Sequence, residues 1–170
     1  MKRILVPLLL LLLAGVHSAS LAQTETSQIP LADPYILLED GTYYAYGTND
    51  ADGIRCYSST DLKYWRYRGL ALNKANTTET RWFRAPEVYQ VGNRYIMYYS
   101  ANEHLYAATS LKPTGPFRQY GSYQMDALLG DEKCIDSHVF FDGKSNSPMI
   151  ISLLWKGRSR NVSLPQRAGS

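Results

Sequence analysis

The chain has 170 residues, 45% of them hydrophobic and 19% charged, and a formal net charge of +3. That length suits one domain rather than two. The composition supports a buried core and excludes wholesale disorder. The 14 tyrosines all fall between Tyr35 and Tyr123, which sets that stretch apart from both ends.

At the start, Lys2 and Arg3 precede the apolar run Ile4–Leu13, and small residues follow as far as Ser20-Leu21-Ala22. This pattern predicts a secretory signal peptide over residues 1–22, cleaved after Ala22. The alternative is a membrane anchor, but the run is shorter than the span of about 20 residues a bilayer needs. No Cys follows the run to take a lipid. The expectation is an exported protein, periplasmic or extracellular, with no membrane association after cleavage. Residues 23–30 then read as a linker.

Charge is uneven. Without Lys2 and Arg3 the net falls to +1, and the last 26 residues hold four bases and no acid. The segment Gln23–Lys144 therefore carries 12 bases against 15 acids, a net of −3. The basic character belongs to the ends, so no basic face is offered to nucleic acid. Cys56 and Cys134 are able to pair in an oxidising compartment, and two free buried thiols fit equally well.

The body repeats itself. Asp33-Pro-Tyr-Ile through Gly47-Thr48 aligns with Ala85-Pro-Glu-Val through Tyr99-Ser100 at an offset of 52. Pro34 meets Pro86, Ile36 meets Val88, Tyr43 meets Tyr95, Tyr46 meets Tyr98 and Thr48 meets Ser100. A third copy begins at Asp136-Ser-His-Val, 51 residues after Ala85. Each copy predicts a strand, a turn (Asp40-Gly41, Gly92-Asn93, Asp142-Gly143) and an aromatic second strand. Later strands follow at Ile54–Ser58 and Leu105–Thr109. A period near 50 with short strands and no helical pattern is the mark of propeller blades. A meandering β-sandwich is the alternative.

The 138 residues from Asp33 to Ser170 are fewer than three such periods, whereas a closed propeller needs about four blades or more. About two and a half blades are therefore expected, as in a fragment. The third copy also changes character. Residues 145–170 contain no Tyr and no acid, which makes them an atypical tail. Either a plain strand at Met149–Trp155 or a shifted reading frame near residue 145 accounts for the break.

Asp33, Ala85 and Asp136 hold equivalent positions, and inner blade strands converge on a common axis. Two carboxylates converging in an exported, aromatic-rich chain suggest acid–base work on a glycosidic bond. Taken one at a time, such Asp residues are more often turn formers.

Five motifs in order resemble glycoside hydrolase family 43. They are Ala32-Asp33-Pro34-Tyr35-Ile36, Ser59-Thr-Asp61-Leu62-Lys-Tyr-Trp65, Ala85-Pro86-Glu87-Val88-Tyr89, Ala108-Thr-Ser110 with Pro113-Thr-Gly115-Pro116-Phe117, and Ile135-Asp136-Ser-His-Val139-Phe140. The likeness covers residues 31–144. It implies an all-β, five-bladed propeller family of arabinofuranosidases, arabinanases and β-xylosidases that work by inversion on plant-wall arabinose- or xylose-containing glycans. By the resemblance Asp33 is the general base and Asp136 the second Asp, which modulates and orients the acid. The family's general acid, a Glu in a Glu-Gly-Pro motif, has no counterpart here. Glu87 belongs to a different motif and does not fill that role.

Without the acid, the chain as written is expected to be inactive on ordinary glycosides. Arg84 stands where many members have Trp, and Trp82 and Phe83 beside it are candidates to contact sugar. Ser137 replaces a frequent Pro. No cofactor is implied beyond the calcium ion some members hold, and no ligand for one is assignable. The expected partner is an oligo- or polysaccharide. A non-catalytic glycan-binding or interaction protein is the competing reading, and a related fructan-cleaving propeller family fits less well because its Asn-Asp-Pro-Asn opening is missing.

Overall fold

The computed structural model describes residues 24–48, 51–121, 133–141, 148–154 and 159–163. The signal segment and the Asp142-Gly143 turn lie outside the described residues. The first sheet contains β1 (Glu25–Thr26), β2 (Ala32–Glu39), β3 (Thr42–Thr48), β4 (Gly53–Ser59) and β5 (Trp65–Asn73). The second contains β6 (Arg84–Val91), β7 (Arg94–Ala101), β8 (His104–Ser110) and β9 (Arg118–Gln119). The third contains β10 (Cys134–Phe141), β11 (Pro148–Leu154) and β12 (Ser159–Ser163). A 3₁₀ turn at Lys74–Asn76 is the helical element among the described residues, so the all-β expectation holds.

Each repeated copy folds as one antiparallel sheet, with strands paired in chain order and the first strand at an edge. The short β1 adds to the far edge, on β5, where Glu25 and Arg66 form an exposed ion pair at 3.0 Å. First strands meet: β2 contacts β6, and β6 contacts β10. Three sheets in succession replace the two facing layers of a sandwich, and they stand as blades do in a propeller.

Turn chemistry explains the hairpins. Asp40 and Gly41 link the Glu39–Thr42 pair with φ of 45° and 72°. Two positive values make a type I′ turn, whose twist matches that of the strands. Gly92, at φ 61°, opens the turn between Val91 and Arg94. Between β4 and β5, the Ser59 hydroxyl accepts from the amides of Asp61 and Leu62. The Asp61 carboxylate accepts from those of Lys63 and Tyr64, and these backbone donors hold its pKa below the usual value. The Ser-Thr-Asp-Leu motif is thus a self-satisfied corner, which delivers Trp65 to a buried position.

Strand alternation separates the core into layers. On β7, Tyr95, Met97, Tyr99 and Ala101 pack toward the first sheet with Tyr46, Ile54, Leu72, Val88 and Phe117. Tyr98, on the opposite face, packs with Leu105, Cys134 and Val139 toward the third. Burial of each large side chain is worth about 1.5–3 kcal/mol. The tyrosines serve as packing with a polar end. Tyr46 donates to the Pro113 carbonyl at 2.7 Å, Tyr95 to Glu39 at 2.9 Å and Tyr106 to Glu79 at 2.6 Å. Cys56 and Cys134 are buried in different layers and are not joined to each other. Burial pushes the Cys56 thiol up to about 12.

Gly53 has φ of 148°, and a Cβ there would stand 1.9 Å from the Leu72 carbonyl oxygen. Gly53→Ala is expected to cost at least about 2 kcal/mol. Gly41→Asn, in open space and a left-handed conformation Asn tolerates, is expected to cost less than about 1 kcal/mol. Urea unfolding of the two variants beside the wild type checks the contrast.

Candidate active site

The first strand of each sheet carries the same irregularity. The ladder slips between Ala32 and Tyr35, between Arg84 and Glu87, and between Ile135 and Ser137. At these slips Asp33, Ala85 and Asp136 have φ of 47°, 45° and 57°. These are β-bulges with a left-handed residue, which re-aim a side chain at the end of a sheet. Asp enters that region at modest cost, while Ala gains nothing local from it. Ala85 shows that the bulge comes from the surroundings and not from its own preference.

Hydrogen bonds from the neighbouring sheet make up those surroundings. The Ala85 amide donates to the Thr48 hydroxyl of the first sheet at 3.0 Å. The Asp136 amide donates to the Ser100 hydroxyl of the second sheet at 3.2 Å. Thr48 and Ser100 are the matched hydroxyls of the repeat, so one bond is made twice. Thr48 in turn donates to the Asp33 carboxylate at 3.1 Å.

The three bulges open on one cleft. It is lined by Asp33-Pro34-Tyr35, Ala85-Pro86-Glu87 and Asp136-Ser137-His138, the same tripeptide from each copy. The two sequence-assigned carboxylates are therefore brought together. Asp136 has its pKa raised, first by partial burial and then by the negative charge of Asp33, with the Arg84 guanidinium pulling it back down. Arg84, which sequence reasoning treated only as a departure from Trp, thus acts on the site through its charge. The Ser137 side chain is buried, with no hydrogen-bond partner for its hydroxyl among the described residues.

Glu87 and His138 were not assigned roles from the sequence. Glu87 Oε2 accepts from the Tyr89 hydroxyl at 2.7 Å and from the Val139 amide at 3.1 Å, and Oε1 lies 2.8 Å from His138 Nδ1. The carboxylate therefore ties the second sheet to the third beside the cleft. An acid directly after Pro86, facing a His two residues after Asp136, was a visible signal once the copies were aligned.

The flanking aromatics are elsewhere. Phe83 is 2% exposed in the core, stacked on Tyr99 with ring centroids 6.2 Å apart. Its burial leaves no face for a sugar. Trp82 is 47% exposed, and the Arg81 guanidinium sits 4.2 Å above its ring. Neither residue lines the cleft. No group of three or more His, Cys, Asp or Glu able to share a metal ion occurs among the described residues.

A match to the family model of glycosyl hydrolases family 43 runs over residues 26–164. The chain belongs to that family. The family match extends through β11 and most of the tail that composition had set apart. Among solved family 43-like structures, an endo-1,4-beta-xylanase from Bacteroides thetaiotaomicron is 37% identical with a TM-score of 0.70. That match covers 79% of this chain and 46% of the xylanase. An endo-arabinase from the same organism is 25% identical, with a TM-score of 0.66 over 74% of this chain and 46% of that one. An exo-beta-1,3-galactanase from Phanerochaete chrysosporium, solved with galactose, shares the fold at 24% identity and a TM-score of 0.66, over 81% and 36%. The chain spans about half the length of the first solved structures it matches or less. No curated protein matches it.

The charge coupling in this family 43 cleft is measurable. Because the Asp136 pKa is raised on folding, its stabilising contribution is present below the unfolded value, about 3.9, and is lost as pH rises through the folded value. Asp136→Asn is therefore expected to be more stable than wild type at pH 7, with the advantage gone by pH 3. Carboxyl NMR should also show the Asp136 pKa fall in Asp33→Asn and rise in Arg84→Gln. An Asp136 titration indifferent to both changes would refute the coupling.

Proposed function

We propose that this chain carries the water-activating side of an inverting glycosidase site acting on plant-wall glycans outside the cytoplasm. The observation that supports it most is the convergence of Asp33 and Asp136, from two copies of one bulge, on one open cleft. The matched structures include a xylanase, an arabinase and galactanases, which supports a glycan substrate. The basic, apolar and small-residue order of residues 1–22 supports export.

Asp33 is the base in this reading. Its carboxylate takes a proton from water as the water oxygen bonds to the anomeric carbon from the face opposite the leaving group. Thr48 holds that carboxylate through one oxygen and leaves the other to receive the proton. Asp136 acts beside it, and its raised pKa suits a carboxyl that orients and tunes a separate acid. As the glycosidic C–O bond breaks, the departing oxygen needs a proton. The acid that gives it stands about 6.5–9.5 Å from the base in an inverting site. No Glu-Gly-Pro segment occurs in the sequence to supply it. Acid–base assistance contributes about 10²–10⁴-fold, so ordinary glycosides are not turned over by the 170-residue chain alone.

A leaving group that departs without a proton bypasses that requirement. The chain is expected to hydrolyse β-xylosyl or α-arabinofuranosyl fluoride slowly, with inversion, and Asp33→Asn is expected to lower that rate about 100-fold. Methyl glycosides of the same sugars should not react. Equal fluoride rates in wild type and Asp33→Asn would overturn the base assignment. Saccharide binding without any Asp33-dependent rate would favour the glycan-binding alternative, whose support is the same polar cleft and the missing acid.

A further inference from the structure

The Glu87–His138 pair does more than join two sheets. Glu87 Oε2 already takes two donors, the Tyr89 hydroxyl and the Val139 amide. A carboxylate has no proton of its own to give, so Oε1 is also an acceptor and His138 Nδ1 must be the donor. Fixing the proton on Nδ1 leaves Nε2 of the neutral ring as an acceptor. Glu87 is itself well anchored, with its side chain 16% exposed, while the His138 side chain is 57% exposed and lines the cleft. Phe140 supports the ring edge-on, with centroids 4.6 Å apart.

Within the glycosidase reading above, we propose that His138 is a substrate-orienting residue. Held in the Nδ1–H form by Glu87, it offers Nε2 as the acceptor for one sugar hydroxyl beside Asp33 and Asp136. The second sheet lends the cleft Ala85, Pro86 and the occupied Glu87 carboxylate, and His138, from the third, supplies a neutral acceptor in a cleft that also holds the Asp33 and Asp136 carboxylates. A hydroxyl bound there fixes the sugar's rotation relative to the Asp33 carboxylate without adding charge to the site. An analogue lacking that hydroxyl leaves the acceptor unpaired, which is where hydrogen-bonding sites discriminate most strongly.

Two measurements test this on the full chain. Long-range ¹⁵N–¹H NMR of the sugar-free protein, with His138 assigned by loss of its signals in His138→Phe, is expected to show Nδ1 protonated and Nε2 bare. Glu87→Gln, whose amide can donate to the ring, is expected to shift the population toward Nε2–H. A dominant Nε2–H form in the wild type overturns the proposal and leaves the Asp33 assignment standing. The second measurement is calorimetric titration with xylobiose and arabinobiose. His138→Phe is expected to weaken binding of the preferred sugar about tenfold, the scale of one hydrogen bond, and His138→Gln to recover part of it. Unchanged affinity in His138→Phe overturns the orienting role. No saccharide binding by the wild type overturns both this proposal and the reading it rests on.

Discussion

A side-chain hydroxyl accepting a backbone amide from the next sheet is the interaction on which this site depends. Thr48 accepts from Ala85 and Ser100 from Asp136. Each bond satisfies a part-buried amide at the bulge, for which the cost of about 1–3 kcal/mol for a fully buried unpaired amide is an upper bound. The bond therefore stabilises the bulge, and the bulge turns the end of the first strand toward the shared cleft. Ala85 adopts the same left-handed backbone as the two Asp residues, so at Ala85 and Asp136 the tie accompanies the bulge whichever side chain it presents.

Electrostatics follow from that placement. Two carboxylates brought to one cleft repel, and the raised Asp136 pKa records first the partial loss of water and then that repulsion. Around them neighbouring side chains hold the polar groups: Thr48 holds Asp33, and Glu87 holds His138. Glu87 is fixed in turn by Tyr89 and the Val139 amide. Such a second layer of support is what keeps reacting groups within small tolerances. The aromatic core between the sheets supplies the rigidity beneath it.

Much of the architecture was legible because repeats expose equivalence. The turns at Asp40-Gly41 and Gly92-Asn93 carry their own backbone preferences, and the matched Asp33 and Asp136 pointed to a common cleft. The matched Thr48 and Ser100 were equally visible, but a hydroxyl in a strand has no local signature for an amide one sheet away. The left-handed Ala85 was illegible for the same reason, since nothing in Arg-Ala-Pro favours it over an extended backbone. Phe83 and Trp82 are neighbours just ahead of β6 with opposite fates: the backbone turns at Trp82, whose φ is 59°, leaving its ring at the surface while Phe83 enters the core, and composition carries no sign of that turn. Glu87 was set aside because its motif is not the acid's. Its actual partner, His138, lies 51 residues away and is found only by overlaying the copies.

Amide hydrogen exchange tests the tie most directly. The account expects the Ala85 and Asp136 amides to be protected in the wild-type chain. Thr48→Val should remove protection from Ala85 and leave Asp136 unchanged, and Ser100→Ala should do the reverse. Free exchange of both amides in the wild type, or protection that survives loss of the hydroxyls, would contradict it.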